Sequence, residues 1–215
     1  MLKSIDNDTD FSTAQTLAMV QEMHDLDHTS STWRQGPDWA YKTLHRSEIT
    51  TRDASSPTES KALPEHVQLH HDVWIAYEWN YHRTARIILH EHLLECLDRL
   101  HSLYPSPQDD DTDLSNLHTI NQASLTKIHA LVDDVLATVP QSLGDIDHEG
   151  RLTEDKDTGT PKWKGVGGYF LLWPIKMILS LRSPTAEQKS VAHAVYERIR
   201  KCTGMKSALG ALSSV

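Results

Sequence analysis

The chain has 215 residues, enough for one substantial domain, and its hydrophobic content of 38% is low but sufficient to bury a core. Its net charge of −9, with acidic residues spread along the chain, argues against strong unaided binding to nucleic acid, which depends on clustered Lys and Arg. The two cysteines, Cys96 and Cys202, exclude a disulfide framework and a cysteine-rich zinc module. The first ten residues carry no apolar segment of a secretory signal, so we expect an intracellular protein, in the nucleus or the cytoplasm.

Residues 1–64 predict a short helix followed by a mobile loop region. Phe11, Leu17 and Val20 have helical spacing, which predicts a helix over about residues 11–27. Residues 28–64 are rich in Ser, Thr and Asp and predict a loop with one or two helical turns. No segment of the chain alternates with period two for long enough to predict a strand.

Residues 65–215 predict a helical domain that begins with one long helix ending near Leu103. Apolar residues three or four positions apart predict its buried face. They are Trp74, Tyr77, Tyr81, Ala85, Ile88, His92, Cys96, Leu100 and Leu103. The segment YPSPQDDDTD then interrupts the helix with two prolines and an acidic run.

A second helix follows, with an apolar side that includes Leu125, Ile128 and Val132, and it is predicted to stop at Pro140. Residues 141–165 predict a charged loop. The stretch GGYFLLWPIKMILSL, residues 167–181, is shorter than the roughly 20 residues needed to cross a bilayer and contains Pro174 and Lys176. It predicts a helix that is buried on nearly all sides and is kinked or restarted at Trp173–Pro174.

The last predicted helix has Pro184 at its first position, carries Val191, Val195, Ile199 and Cys202 on one side, and ends at Gly204. A short closing helix from Met205 to Leu212 completes the chain. The predicted fold class is therefore all-α: an irregular multi-helix bundle with one long central helix.

Two segments have partial metal-site spacing. His66 and His70 would share one face of a helix, beside His71 and Asp72, but the sequence nominates no third ligand. The segment DIDHEGRL, residues 145–152, matches the first half of a calcium loop, yet Lys156 stands where a bidentate Glu would close the site. We therefore predict neither a metal nor another cofactor.

A polar ribbon is the strongest candidate for chemistry. Asn80, Arg83, Arg86 and His90 are separated by three, three and four residues, so they lie along one side of the long helix. The guanidinium groups and the imidazole could hold a carboxylate or an enolate in a pocket. The alternative is that they pair with acidic groups or carbonyls of neighbouring helices and fix the packing, and the spacing alone favours this second interpretation.

Three blocks of sequence resemble the C-terminal regulatory region of fungal zinc binuclear cluster transcription factors. They are VWIAYEWNYHRTARIILHEHLLECL, then IHALVDDVLATVPQSLGDID, then the segment from GGYFLLWPIKMILSL to the end of the chain, in the order found in the family. The resemblance implies an all-helical effector domain that receives small-molecule or protein signals and regulates a separate DNA-binding module. The matching positions are Trp79, Asn80, Arg83, Arg86, His90, Pro140, Gly144, Gly168, Trp173, Pro174 and Gly204.

The chain departs from the family in lacking the six-cysteine cluster that reads DNA, so two functions remain open. The first is a regulatory domain that binds a small-molecule ligand or a protein partner, such as a related transcription factor, without contacting nucleic acid or a membrane. The second is an enzyme of secondary metabolism, an isomerase, dehydratase or cyclase, with His90, Arg83 and Arg86 as candidate catalytic residues. Candidate ligand-binding residues in either case are Trp79, Asn80, Arg83, Arg86, His90 and Trp173.

Overall fold

The computed structural model describes residues 13–50, 63–103, 111–153 and 162–203. Within these residues the fold is mostly helical, as the sequence predicts, with one small antiparallel sheet. The helices are α1 (Thr13–Ser31), α2 (Val73–Leu103), α3 (Asp111–Ala137), α4 (Val139–Ser142), α5 (Lys162–Ser180) and α6 (Ala186–Thr203). The strands are β1 (Tyr41–His45) and β2 (His66–His70), and two short 3-10 helices, Pro37–Trp39 and Arg46–Glu48, flank β1.

The long helix α2 is the centre of the molecule, as predicted. It packs against α1, α3 and α5, and α5 in turn packs against α6. The main apolar cluster combines Leu97 of α2, Val132 of α3, Ile175 of α5 and Ile199 of α6, all fully buried, with Val20 of α1. Burying side chains of this size contributes roughly 1.5–3 kcal/mol each. The helices are thus joined through one shared core, and the Tyr169–Leu181 segment lies beside α2 as expected.

The buried face of α2 differs from the predicted one mainly in its first half, and His92 of the predicted face is exposed as well. Trp74, Tyr81 and Ala85 are exposed, whereas Asn80 and Arg83 are buried. The apolar spacing was real, but the rings of this stripe pack against α5 at the surface. The side facing β2 and α3 buries polar groups that find hydrogen-bond partners there, so hydrophobicity alone indicated the wrong side.

The start of α2 and the absence of strands were also predicted wrongly. Residues 66–70, HVQLH, alternate polar and apolar side chains over five residues, and they form β2 rather than the first turns of a helix. The register pairs Tyr41 with His70 and His45 with His66. Helix α2 begins only at Val73, where the Asp72 carboxylate accepts hydrogen bonds from the backbone amides of Trp74 and Ile75.

The two faces of the hairpin contact different parts of the molecule. Leu44, Val67, Leu69 and Ile146 form a second apolar cluster, separate from the main core. On the opposite face, the side chain of Gln68 is directed to α2 and α3. The hairpin therefore connects a small apolar cluster to the polar side of α2.

Helix α5 runs through Pro174 without a break, so the predicted restart there is wrong. Leu171, Ile175 and Ile178 are buried, while Tyr169 is 59% exposed, so only one side of α5 faces the core. The predicted burial on nearly all sides is also wrong. An apolar stretch at helical spacing needs one buried face only, and here aromatic side chains occupy the other.

The VPQSLG and GGYF segments meet where α4 crosses α5. A Cβ atom placed on Gly167 would lie 1.9 Å from the carbonyl oxygen of Ser142, so only glycine fits this crossing. Gly144, with φ of 73°, provides the left-handed turn that follows α4. Gly167 is thus required by the close backbone contact, and Gly144 by the left-handed turn.

Both terminal helices differ from prediction in their limits. Helix α1 extends one turn beyond the predicted end at Asp27 and finishes at Ser31. Helix α6 begins at Ala186, not at Pro184, because Thr185 and Gln188 form a reciprocal capping box. Phe11, Lys156, Gly204 and the predicted closing helix from Met205 to Leu212 lie outside the described residues.

Candidate functional site

The polar ribbon of α2 divides between two neighbours. Asn80 and Arg83 face the hairpin and the end of α3, whereas Arg86 and His90 face α1. Asn80, Arg83 and His90 are buried, and the side chain of Arg86 is only 12% exposed. The four residues therefore share one helix, but their side chains belong to two separate polar groups.

Arg83 is the most buried of the ribbon's charged groups, with its side chain only 3% exposed. Its guanidinium donates to Gln68 Oε1 at 2.6 Å, to Asn80 Oδ1 at 3.3 Å and to the Asp134 carbonyl oxygen at 3.4 Å. Its Nε lies 3.8 Å from the Asp134 carboxylate. Burial lowers the pKa of this guanidinium, which the charge of Asp134 opposes. The ordinary pKa of Arg is so high that the group stays charged.

Asn80 continues this polar group towards α4. Its amide donates to the Thr138 hydroxyl at 2.8 Å, and that hydroxyl donates to the Val135 carbonyl oxygen at 2.8 Å. The Thr84 hydroxyl also belongs to this network, and it donates to the backbone carbonyl oxygen of Asn80 at 2.6 Å. Fully bonded buried networks of this kind fix the relative position of the elements that contribute to them.

The second group joins α1 to α2 through Asp27. Arg86 donates to both Asp27 carboxylate oxygens, at 2.7 and 3.1 Å, and His90 Nε2 lies 3.3 Å from Oδ1. Burial raises the pKa of Asp27, but the hydrogen bonds from His90 and Arg86 outweigh it and hold the pKa well below its usual range. Asp27 is thus an ionised internal partner. It occupies the Arg86 and His90 donors that a substrate would need.

Tryptophans cluster where α1 ends. The guanidinium of Arg34 lies 3.6 Å from the ring centre of Trp39 and 4.1 Å from that of Trp33, and it donates to Glu78 at 3.0 Å. Arg34 has φ of 53°, in the left-handed region that non-glycine residues rarely adopt. Trp79 fixes the cluster to α2 because its indole N–H donates to the Trp39 carbonyl oxygen at 2.9 Å.

Two histidines adjoin these groups, of which His70 is buried and His82 is half-buried. His82 stacks on Trp33 with ring centres 4.5 Å apart, and burial, aided by the charge of Arg86, lowers its pKa. His70, only 2% exposed, lies 5.1 Å from the Tyr41 ring. Burial, with the charge of Arg83, lowers the pKa of His70 from 6.5 to about 3. Both rings are therefore neutral at pH 7.

The aromatic patch is the name we give to Trp74, Tyr77 and Tyr81 of α2 with Tyr169, Phe170 and Trp173 of α5. Trp74 and Tyr77 lie 4.6 and 4.5 Å from the Phe170 ring, and Tyr81 stacks on Trp173 at 4.2 Å. Trp74, Tyr81 and Tyr169 are 59%, 45% and 59% exposed. The predicted ligand residue Trp173 thus belongs to this surface patch, away from the ribbon.

The segments with partial metal spacing form other contacts. His66 and His70 lie on a strand, where positions four apart are separated by roughly 13 Å, too far to share one ion. Asp147 of the calcium-like segment accepts hydrogen bonds from the amide and guanidinium of Arg151, and Arg198 donates to Asp145. Among the described residues there is no group of three metal-ligating side chains.

Several residues of these groups were missed in the sequence. Asp27, Gln68 and Asp134 contact the ribbon from other elements of the fold, and no local motif marks them. His82 could have been noticed, since it precedes Arg86 and His90 at intervals of four residues and so lies on their side of the helix.

Comparisons with known proteins return no relative. No family model, no curated protein and no solved structure matches the chain. Among the described residues, no helix is long and apolar enough to cross a membrane.

Proposed function

We propose that this chain is a regulatory, effector domain of a fungal transcription-factor system that does not itself read DNA. It binds a small molecule or a protein partner, such as a related transcription factor, and through that complex alters transcription in the nucleus. The aromatic patch is the observation that carries the proposal. Six rings in mutual contact, three of them largely exposed, are what a protein-binding surface requires.

The residues behind the sequence resemblance support the same function. The two most specific segments, VPQSLG and GGYF, meet at the crossing of Gly167 and Ser142. Asn80 and Arg83 are buried and join α2 to the hairpin and to α3. These residues maintain a shape rather than present groups for a reaction, as expected of an effector domain.

The internal pairing of the ribbon favours regulation over catalysis. A catalytic role would require Arg83, Arg86 or His90 to present donors to a substrate. Arg86 instead directs its donors to both Asp27 oxygens, and His90 adjoins the same carboxylate. Removing Asp27 would leave a buried charge unpaired, which costs roughly 3–5 kcal/mol.

Deletion of the gene, with transcript and metabolite profiles measured together, tests the proposal. We expect target transcripts to change on deletion and to be restored by the wild-type chain. A chain carrying both Trp74→Ser and Tyr81→Ser should fail to restore them while folding normally, because it loses exposed rings only. Val191→Ser, which alters an exposed apolar residue on α6 outside the patch, is the matched control and should restore them.

The opposite result would show catalysis. Unchanged transcripts together with an accumulated biosynthetic intermediate would contradict the regulatory proposal and support the enzyme. Restoration of transcripts by the Trp74→Ser, Tyr81→Ser chain would contradict the role of the aromatic patch.

A further inference from the structure

The charge of Arg83 is not matched by the carboxylate beside it. Among the described residues, Asp134 is the one acidic side chain within 4 Å of the guanidinium, at 3.8 Å, and it is 41% exposed against 3% for Arg83. Asp134 also accepts a hydrogen bond from Gln68 at 2.7 Å on its other oxygen. A cation buried more deeply than its counter-ion leaves positive potential in the interior.

His70 provides a second, independent sign of a missing partner. Both of its ring nitrogens are buried, and neither has a hydrogen-bond partner among the described residues. Its backbone, by contrast, is fully used, because Gln141 accepts from the His70 amide and donates to its carbonyl oxygen. Buried polar atoms are bonded in nearly all proteins, so an orphaned ring indicates a ligand or an ordered solvent molecule.

Aromatic rings connect these two groups. Tyr41 lies 5.1 Å from the His70 ring, 5.2 Å from the Arg83 guanidinium and 5.6 Å from the Trp79 ring, and Trp79 lies 5.5 Å from the same guanidinium. Tyr41 is 37% exposed, whereas His70 and Arg83 are buried. The Tyr41 ring therefore separates a cationic, polar interior from solvent.

We propose that Arg83, His70, Tyr41 and Trp79 form a binding site for a small carboxylate. Arg83, held in place by its hydrogen bonds to Gln68 and Asn80, supplies the positive charge, and the neutral imidazole of His70 donates one N–H to the carboxylate. Trp79 and Tyr41 contact the body of the molecule. The site is distinct from the neighbouring pair of Asp27 and Arg86, where a carboxylate of the chain itself already occupies both donors of the guanidinium.

This proposal names the chemical class of the small molecule that the proposed regulatory domain would sense, and its biological meaning rests on that function. Carboxylate binding and the regulatory function can be refuted independently of each other. Carboxylate binding is measured on the purified chain, whereas regulation is measured by transcripts in the cell.

The test is a titration of the full chain with sodium acetate and sodium benzoate, with sodium chloride at equal ionic strength and sodium phosphate as comparisons. Thermal unfolding and the ring-nitrogen resonances of His70 are recorded. We expect both carboxylates to raise the Tm and to shift the His70 resonances saturably, and chloride to do neither. Arg83→Lys should weaken carboxylate binding about tenfold because the ammonium group loses the hydrogen bonds to Gln68 and Asn80 that hold the charge in place.

Arg86→Lys is the matched control, since it makes the same change one turn away and should leave carboxylate affinity within about twofold. If Arg83→Lys does not fold, His70→Phe, which keeps the ring contact with Tyr41 and removes the donor, should weaken binding instead. The proposal is overturned if carboxylates act no more strongly than chloride, if phosphate binds more tightly than both, or if Arg86→Lys weakens binding as much as the variant at the site.

Discussion

The buried ring of His70 makes the stability of the protein depend on pH below neutrality. The pKa of His70 is about 3 in the folded chain and 6.5 when the ring is solvated. The unfolded chain therefore binds a proton at a pH where the folded chain does not, and acid favours unfolding. Stability is full above pH 6.5 and is lost progressively as the pH falls from 6.5 towards 3.

The two pKa values set the size of the effect. One pKa unit corresponds to about 1.36 kcal/mol, so His70 costs the folded state roughly 2 kcal/mol at pH 5 and approaches about 5 kcal/mol below pH 3. Asp27, whose folded pKa lies well below its usual range, does not add to this window, because its carboxylate stays ionised at pH 5. The lowered pKa of His82 adds acid sensitivity of its own, which remains when His70 is replaced.

Urea denaturation at pH 7 and pH 5, in buffers free of carboxylates, measures the difference. We expect the free energy of unfolding of the wild-type chain to fall by about 2 kcal/mol more than that of His70→Phe over this range. His66→Phe, which changes the exposed histidine at the other end of the same strand, is the control and should keep the full wild-type loss. Equal losses in the wild-type chain and in His70→Phe would refute the reasoning.

Three further changes test the packing by urea denaturation at pH 7. Asp27→Ala leaves the buried Arg86 unpaired and should cost roughly 3–5 kcal/mol, and a much smaller loss would show that water solvates this pair. Gly167→Ala places a methyl group against the backbone of α4 and should cost at least about 3 kcal/mol, whereas Gly165→Ala, with open space around it, should stabilise α5 by roughly 0.5–1 kcal/mol. Equal effects at the two glycines would contradict the close crossing. Thr185→Ala removes the cap of α6 and should cost about 1 kcal/mol, and no change would mean that the capping box is dispensable.

Helices were predictable from the sequence where a periodic pattern coincided with the core. The apolar spacing of Ile128, Val132 and Val135 located α3, and all three side chains are fully buried. The first half of α2 was harder, since Trp74 and Tyr81 have the same spacing as core residues and yet lie at the surface. Spacing shows that side chains share a face, but it does not show whether that face meets a helix, a partner or solvent.

The hairpin and the partners of the polar groups could not be predicted from spacing, because they depend on contacts between different segments of the chain. The alternation of HVQLH was present but short, and its strand is stabilised by pairing with residues 41–45. The spacing of Arg83, Arg86 and His90 correctly indicated one polar side of α2. Their partners Asp27 and Gln68 come from other elements, so they could be identified only from the fold.

In the part of the chain that the structure describes, the hairpin buries its apolar side chains in a cluster of its own, with Leu44, Val67, Leu69 and Ile146 at its centre. So small a cluster opposes local opening far less than the interhelical core does, and amide exchange in β1 and β2 should proceed by openings that leave the bundle closed. Because Arg83 and His70 lie at the joint between hairpin and bundle, whatever occupies that joint would slow this exchange without altering the overall shape of the molecule.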